Sequence, residues 1–205
     1  MTQVATMHPS VEATESPLTP ESWGKLGMWI FLIGDAMTFG TGIAAYGAIR
    51  YGSADWPVPS NVLGIPLTAF MTFLLICSSV TMVLSLSAIK RGDQRGLRNF
   101  LLLTILGGLI FLGCQAYEWN HLIFHRLPEK GFSFTGHLFA TTFFVLTGFH
   151  GMHVTGGVIY LSCIVIQGVR GRYSAERYNP VEIAGLYWHF VDLVWILIFT
   201  FVYLL

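Results

Sequence analysis

Five stretches of this chain run for about 20 residues or more almost without charge, at approximately 24–49, 63–89, 97–122, 137–167 and 182–205. A helix rises 1.5 Å per residue and a hydrocarbon core is roughly 30 Å thick, so each stretch is long enough to cross it. Inside lipid the backbone must satisfy its own polar groups, which leaves helices or a closed barrel. Barrel strands are about 10 residues of alternating polarity, a pattern these runs lack. The chain is therefore expected to be an all-α membrane protein with five transmembrane helices. With 54% hydrophobic and 11% charged residues, it could not hide its apolar surface as a soluble domain.

The first 22 residues differ in kind. They hold Pro, Ser and Thr, three Glu and no Lys or Arg, so they lack the basic region of a secretory signal and predict a disordered cytoplasmic tail over 1–22. One transmembrane domain over 23–205 follows, its first span retained. With the N-terminus cytoplasmic, the inner side carries Lys25, Lys90, Arg91, Arg95, Arg98, Arg170, Arg172 and Arg177, and the outer side Arg50, Arg126 and Lys130. Eight against three predicts the N-terminus inside and the C-terminus in the periplasm, in a multi-pass protein of the inner (plasma) membrane. A net charge of zero leaves no basic footprint for nucleic acid.

Two residue types that often carry chemistry predict only packing here. Cys77, Cys114 and Cys163 fall on three different spans without Cys-x-x-Cys spacing and are expected to be small buried hydrophobes. Gly34, Thr38 and Gly42, at fourfold spacing, are expected to let two helix backbones approach closely. Gly107, Gly108, Gly156 and Gly157 also lie inside spans and form no phosphate-cradling loop.

Ionisable residues at membrane depth stand apart. Each costs a few kcal/mol if it faces lipid, so such groups face a bundle interior, a cavity or a partner and mark function. Asp35 lies roughly 16 Å from the inner face, and His189 and Asp192 lie roughly 10 and 15 Å from it. His150 and His153 fall near the middle and inner half of the fourth span. Thr147, His150, His153 and Gly157 share one helical face, and Glu182, Gly185, His189, Asp192 and Ile196 share another. The two stripes overlap in depth and are predicted to face each other, with histidine and Asp192 exchanging hydrogen bonds. His150, His153 and His189 could also bind a metal, and a hydrogen-bonded triad with the aspartate is equally compatible with the sequence.

The third span adds Gln115, Glu118 and His121. Glu118 and His121 have the Glu-x-x-His spacing of di-iron bundles, but the second motif and the further carboxylates at its depth are missing. A polar network pinning helix ends near the outer interface is expected instead.

The segments GMWIFLIGDAMTFG (27–40), FLGCQAYEWNHLI (111–123), TGFHGMHVTGG (147–157) and GLYWHFVDLVWILIFTFVYL (185–204), in that order, resemble subunit III of the haem-copper respiratory oxidases, the cytochrome c and quinol oxidase family. The likeness runs from about Trp23 to Leu205 and fits the five-span form of that subunit. It implies a cofactor-free, non-catalytic subunit packed mainly against subunit I, which carries haem and copper, with subunit II and other subunits in the same complex. It further implies a V-shaped, two-arm bundle whose cleft holds phospholipid, and a role in sustaining proton uptake and protecting the oxidase during oxygen reduction.

Carried over residue by residue, the resemblance makes Asp35, Glu118, His150, His153, His189 and Asp192 candidates for proton or lipid handling. Asp35 stands where cytochrome c-type members more often have glutamate and quinol-type members aspartate. Arg170 and Arg172 are candidates for lipid phosphate, although the positive-inside rule accounts for them equally well. Trp23, Trp29, Trp119 and Trp188 are expected as interface anchors or cleft lining. Two alternatives remain open at this point: the related accessory subunit of nitric oxide reductase, and an autonomous membrane metal enzyme or transporter. Against the transporter, the five spans show no inverted repeat.

Overall fold

The computed structural model of the protein describes residues 23–54, 56–129 and 137–205. The expected tail over 1–22 lies outside the described residues, as does Lys130. Helix α1 (Trp23–Gly52) is followed by a single turn, α2 (Pro59–Val62), and by α3 (Ile65–Lys90) and α4 (Gln94–His121). A π-helical turn, Leu122–Arg126, carries α4 into the short α5 (Leu127–Glu129). Then come α6 (Leu138–Val169) and α7 (Asn179–Ile198), the latter closing in a second π-helical turn, Phe199–Leu204. The five long segments are the five expected spans, each apolar and long enough to cross a membrane. Some run past the apolar stretches, to take in Arg50 and Arg95, because a helix satisfies its backbone whether or not lipid surrounds it.

The connections follow from local chemistry. Between α3 and α4 the chain reverses at Gly92, whose φ of 77° suits glycine. Asp93 then caps α4: its Oδ1 accepts from the backbone N–H groups of Arg95 and Gly96 at 3.1 and 2.9 Å. Gly96 leaves room for that carboxylate, since a Cβ there would lie 2.3 Å from Asp93 Oδ2. Pro66 and Pro180 sit in the first turns of α3 and α7, where a missing N–H costs nothing.

Helix α3 packs on α4 and α7, α4 on α6, α6 on α7, and α1 on α6 and α7. A single core runs through all five, with Phe39 and Tyr46 as the share of α1. Two grooves run beside α1, one of about 320 Å³ between α1 and α7 and another of about 410 Å³ near Arg50.

Two tryptophans one heptad apart hold α7 in place. Trp188 donates to Ser78 Oγ and Trp195 to Thr72 Oγ1, both at 3.0 Å and both on α3. The Trp188 ring fills a slot made by two glycines, for a Cβ on Gly108 would lie 2.6 Å from it and one on Gly157 would lie 2.9 Å from it. This corrects the expectation of an interface anchor or cleft lining: Trp188 is 1% exposed, whereas Trp23 and Trp29 are 85% and 52% exposed.

Two further expectations are corrected. Cys77 and Cys163 are exposed and Cys114 is half-buried, because in a membrane the outward face is as apolar as the core and does not drive a thiol inward. Of the two glycines in the Gly34, Thr38 and Gly42 series, Gly42 meets Leu146, while Gly34 opens onto nothing within 4 Å among the described residues. The basic residues assigned to the inner side gather at one end. There Lys25 pairs with Glu182 at 3.0 Å, Gln94 donates to the Tyr173 carbonyl at 2.7 Å, and Lys90 lies over the Tyr178 ring.

Candidate functional site

Asp35 points from α1 toward α6, where its Oδ2 lies 2.9 Å from His153 Nε2. The other ring nitrogen, Nδ1, is 2.8 Å from the Phe149 carbonyl. A carbonyl only accepts, so Nδ1 carries the N–H, and Nε2 is left to share a proton with the carboxylate. Phe39 and Phe149 stand edge-on to the imidazole at 5.1 and 4.6 Å. Tyr187 of α7 donates to the His153 carbonyl at 2.9 Å, so three helices converge on the pair. Both side chains keep a little exposure, 14% for His153 and 13% for Asp35.

The predicted exchange between the histidines of the fourth span and Asp192 is therefore corrected. Asp192 faces α3, where its Oδ2 accepts from Ser79 Oγ at 2.7 Å and its Oδ1 is buried without a partner among the described residues. The stripes on α6 and α7 do lie on packed helices. Each helix has further neighbours, however, and α1 and α3 supply the partners that helical spacing could not name.

His150, one turn before His153, is fully enclosed. Its ring lies 4.9 Å from Trp195, 5.7 Å from Phe111 and 6.4 Å from Phe39, and neither nitrogen is hydrogen-bonded to a described residue. His189 is half-buried and borders the groove between α1 and α7. Glu118 forms the expected tie at the end of the bundle far from Lys25: Oε1 accepts from Thr68 and Oε2 from Tyr203, at 3.0 and 2.9 Å. His121 stacks on His125 instead of joining Glu118. Gln115 reaches α6, donating to the Thr147 carbonyl at 2.7 Å, and edges a groove of about 550 Å³ between α4 and α6. Arg170 and Arg172 are exposed just beyond α6.

Among the described residues no group of three or more His, Cys, Asp or Glu side chains gathers as a metal site would require. His150, His153 and His189, the set considered for a metal, are committed to an aromatic box, a carboxylate and a groove respectively. The residues that the sequence analysis passed over are hydroxyls: Thr68, Ser79 and Tyr203. Their signal is the recurrence of Ser and Thr along α3, since a hydroxyl inside an apolar span seeks a partner across a helix interface.

Comparison with known proteins places this architecture. The family model for cytochrome c oxidase subunit III matches residues 21–205. The chain is 35% identical over 180 residues to the cytochrome c oxidase subunit 3 of Alkalihalophilus pseudofirmus, covering 88% of this chain and 85% of that one. It is 36% identical to the protein of the same name from Thermostichus vulcanus, over 88% and 86%. To the quinol oxidase subunit 3 of Bacillus subtilis it is 35% identical, again over 88% and 86%. The chain belongs to the cytochrome c oxidase subunit III family.

Proposed function

We propose that this protein works in the plasma membrane as the accessory subunit III of a haem-copper terminal oxidase, seated mainly against subunit I, with subunit II and other subunits nearby. Haem and copper belong to the partner and carry out oxygen reduction there. This chain contributes protonatable groups and lipid contacts. The N-terminal side faces the cytoplasm, with Arg170 and Arg172 at lipid-phosphate level on that side. The relatives named above are oxidase subunits, which favours this assignment over a nitric oxide reductase accessory chain.

The observation that carries the proposal is the Asp35–His153 pair. A carboxylate and an imidazole lone pair meeting at 2.9 Å need one proton between them, held either on Asp35 Oδ2 or on His153 Nε2. Moving it from one atom to the other changes the charge of both groups and leaves their geometry alone. The pair thus holds one proton at membrane depth on either of two atoms, without opening the bundle. Glu118, held by Thr68 and Tyr203, and His150, enclosed by aromatic rings, are further protonatable groups of this chain, and His189 lines an apolar groove of about 320 Å³.

The test is to purify the oxidase with Asp35→Ala or Asp35→Asn in this chain. Assembly should persist, while the enzyme loses activity faster during turnover or retains less phospholipid by native mass spectrometry. Unchanged inactivation kinetics together with unchanged lipid content would reject a proton- or lipid-handling role for the pair.

A further inference from the structure

Tyr203 closes the bundle at the end far from Lys25, with 1% of its surface exposed, and its hydroxyl donates to Glu118 Oε2 at 2.9 Å. Three other phenols donate to groups that do not take a proton. Tyr46 donates to the Val202 carbonyl, Tyr187 to the His153 carbonyl and Tyr173 to the Gln167 amide oxygen. Among these four, Tyr203 is the phenol that faces a base.

That pairing suits the loss of an electron. Oxidation turns a phenol into a strong acid, and with no acceptor nearby the positive charge would be stranded in a low-dielectric interior. Here the proton has one short step to make, inside the roughly 2.6–3.2 Å over which a positioned base acts. The site passes from one buried negative charge to none, and the contact survives with the proton on the other oxygen. Thr68 holds the far oxygen of the carboxylate throughout.

Enclosure does not bar this reaction, because an electron crosses between neighbouring rings and no oxidant has to enter. Trp195 lies 6.1 Å from Tyr203. On the other side, Tyr46 is bonded to the carbonyl of the residue before Tyr203, and its ring lies 5.3 Å from that of Trp56, which is half-buried in the link between α1 and α2. Four oxidisable rings thus lead from the end of the bundle into its core.

We infer that Tyr203 and Glu118 form a redox site, at which the phenol yields one electron to a strong one-electron oxidant of the kind that partly reduced oxygen supplies. The Tyr203 O–H bond breaks, an O–H bond forms on Glu118 Oε2, a neutral phenoxyl radical remains, and the oxidant gains the electron. A one-electron reductant at Trp56 reverses the step, with the same proton returning. Oxygen chemistry as the source of the oxidant rests on the oxidase assignment; the site itself does not.

The experiment takes the full chain in lipid nanodiscs, with the exposed Tyr51 and Tyr117 replaced by phenylalanine, and oxidises it with flash-generated ruthenium(III) tris-bipyridine. Electron paramagnetic resonance should show a neutral tyrosyl radical, narrowed by ring-deuterated tyrosine and mostly lost with Tyr203→Phe. Glu118→Gln keeps an oxygen for the phenol and an N–H for Thr68 but does not take the proton. It should slow radical formation about 100-fold, the lower end of what a positioned base contributes.

No tyrosyl signal in the parent, a signal undiminished by Tyr203→Phe, or one that forms as fast with Glu118→Gln would overturn the inference. In the intact complex, hydrogen peroxide should raise the same radical. A flash signal without that response would strike out the oxygen source and leave the site standing. If no haem-copper subunit accompanies the chain, the oxidase assignment fails, an outcome distinct from the flash result.

Discussion

The phenol of Tyr203 and the carboxylate of Glu118 meet at 2.9 Å, tying the last turn of the chain to α4, while Thr68 of α3 holds the other carboxylate oxygen at 3.0 Å. Glu118 is 5% exposed and Tyr203 1%, so neither group can turn to water when its partner is removed. Tyr203→Phe should destabilise the chain by about 1–3 kcal/mol, because it strips a donor from a buried carboxylate. Thermal unfolding in detergent would measure it. Equal melting of variant and parent would show that the tie carries no stability.

The slot that holds Trp188 predicts opposite outcomes for one kind of substitution. Gly108→Ala drives a methyl to within 2.6 Å of the indole and 2.8 Å of Val158, with nowhere to relax. It should cost about 1–3 kcal/mol as overpacking. Gly113→Ala on the same helix meets nothing within 4 Å and should be neutral or stabilising by up to about 1 kcal/mol through helix propensity. Paired melting curves distinguish the two.

Asp35 and His153 should be coupled energetically. Asp35→Asn and His153→Leu are each expected to cost about 2 kcal/mol, the weight of a hydrogen bond to a charged group. The double variant should cost clearly less than the sum. A double-mutant cycle on unfolding free energies reads this directly, and strict additivity would mean that the two side chains do not interact.

Tyr173, in the loop after α6, gives a pH dependence outside the membrane. Burial raises its phenol above the ordinary value of 10.0, its neighbour Tyr160 adds to the rise, and Arg172 opposes it. The hydroxyl donates to Gln167 Oε1 at 3.1 Å, a bond that needs the proton. Below pH 10 both the folded and unfolded states hold that proton, so the stability Tyr173 provides is fully present. Above it the unfolded phenol ionises first, and the contribution is lost as pH climbs through the folded value. Tyr173→Phe should therefore flatten the alkaline fall in stability, as followed by helix content against pH.

Much of the fold was legible because hydropathy over a span-length window measures what lipid demands of a helix. All five spans are where hydropathy puts them, with bounds displaced in either direction by up to 3 residues. The candidate site was legible as a set of residues and illegible as a set of pairs. Helical spacing puts His150 and His153 on one face and His189 and Asp192 on another, but a face touches more than one neighbour. His153 turned to Asp35 and Asp192 to Ser79, contacts spanning most of the chain that no local pattern encodes. The double glycines at 107–108 and 156–157 did carry a signal. Their spacing suggests general packing, whereas Gly108 and Gly157 form a socket for one large ring, and the tryptophan that fills it is neither the interface anchor nor the cleft lining expected of it.

The wide closing turn over Phe199–Leu204 acts on phase. Trp195 and Tyr203 are eight positions apart, which on an unbroken α-helix would set them about 80° out of line. The looser winding absorbs the difference, and their rings come to lie 6.1 Å apart on the same side. The segment thus behaves as a vernier: deleting one residue within it would swing the terminal phenol away from its carboxylate, leaving α7 latched at the Lys25 end and adrift at the other.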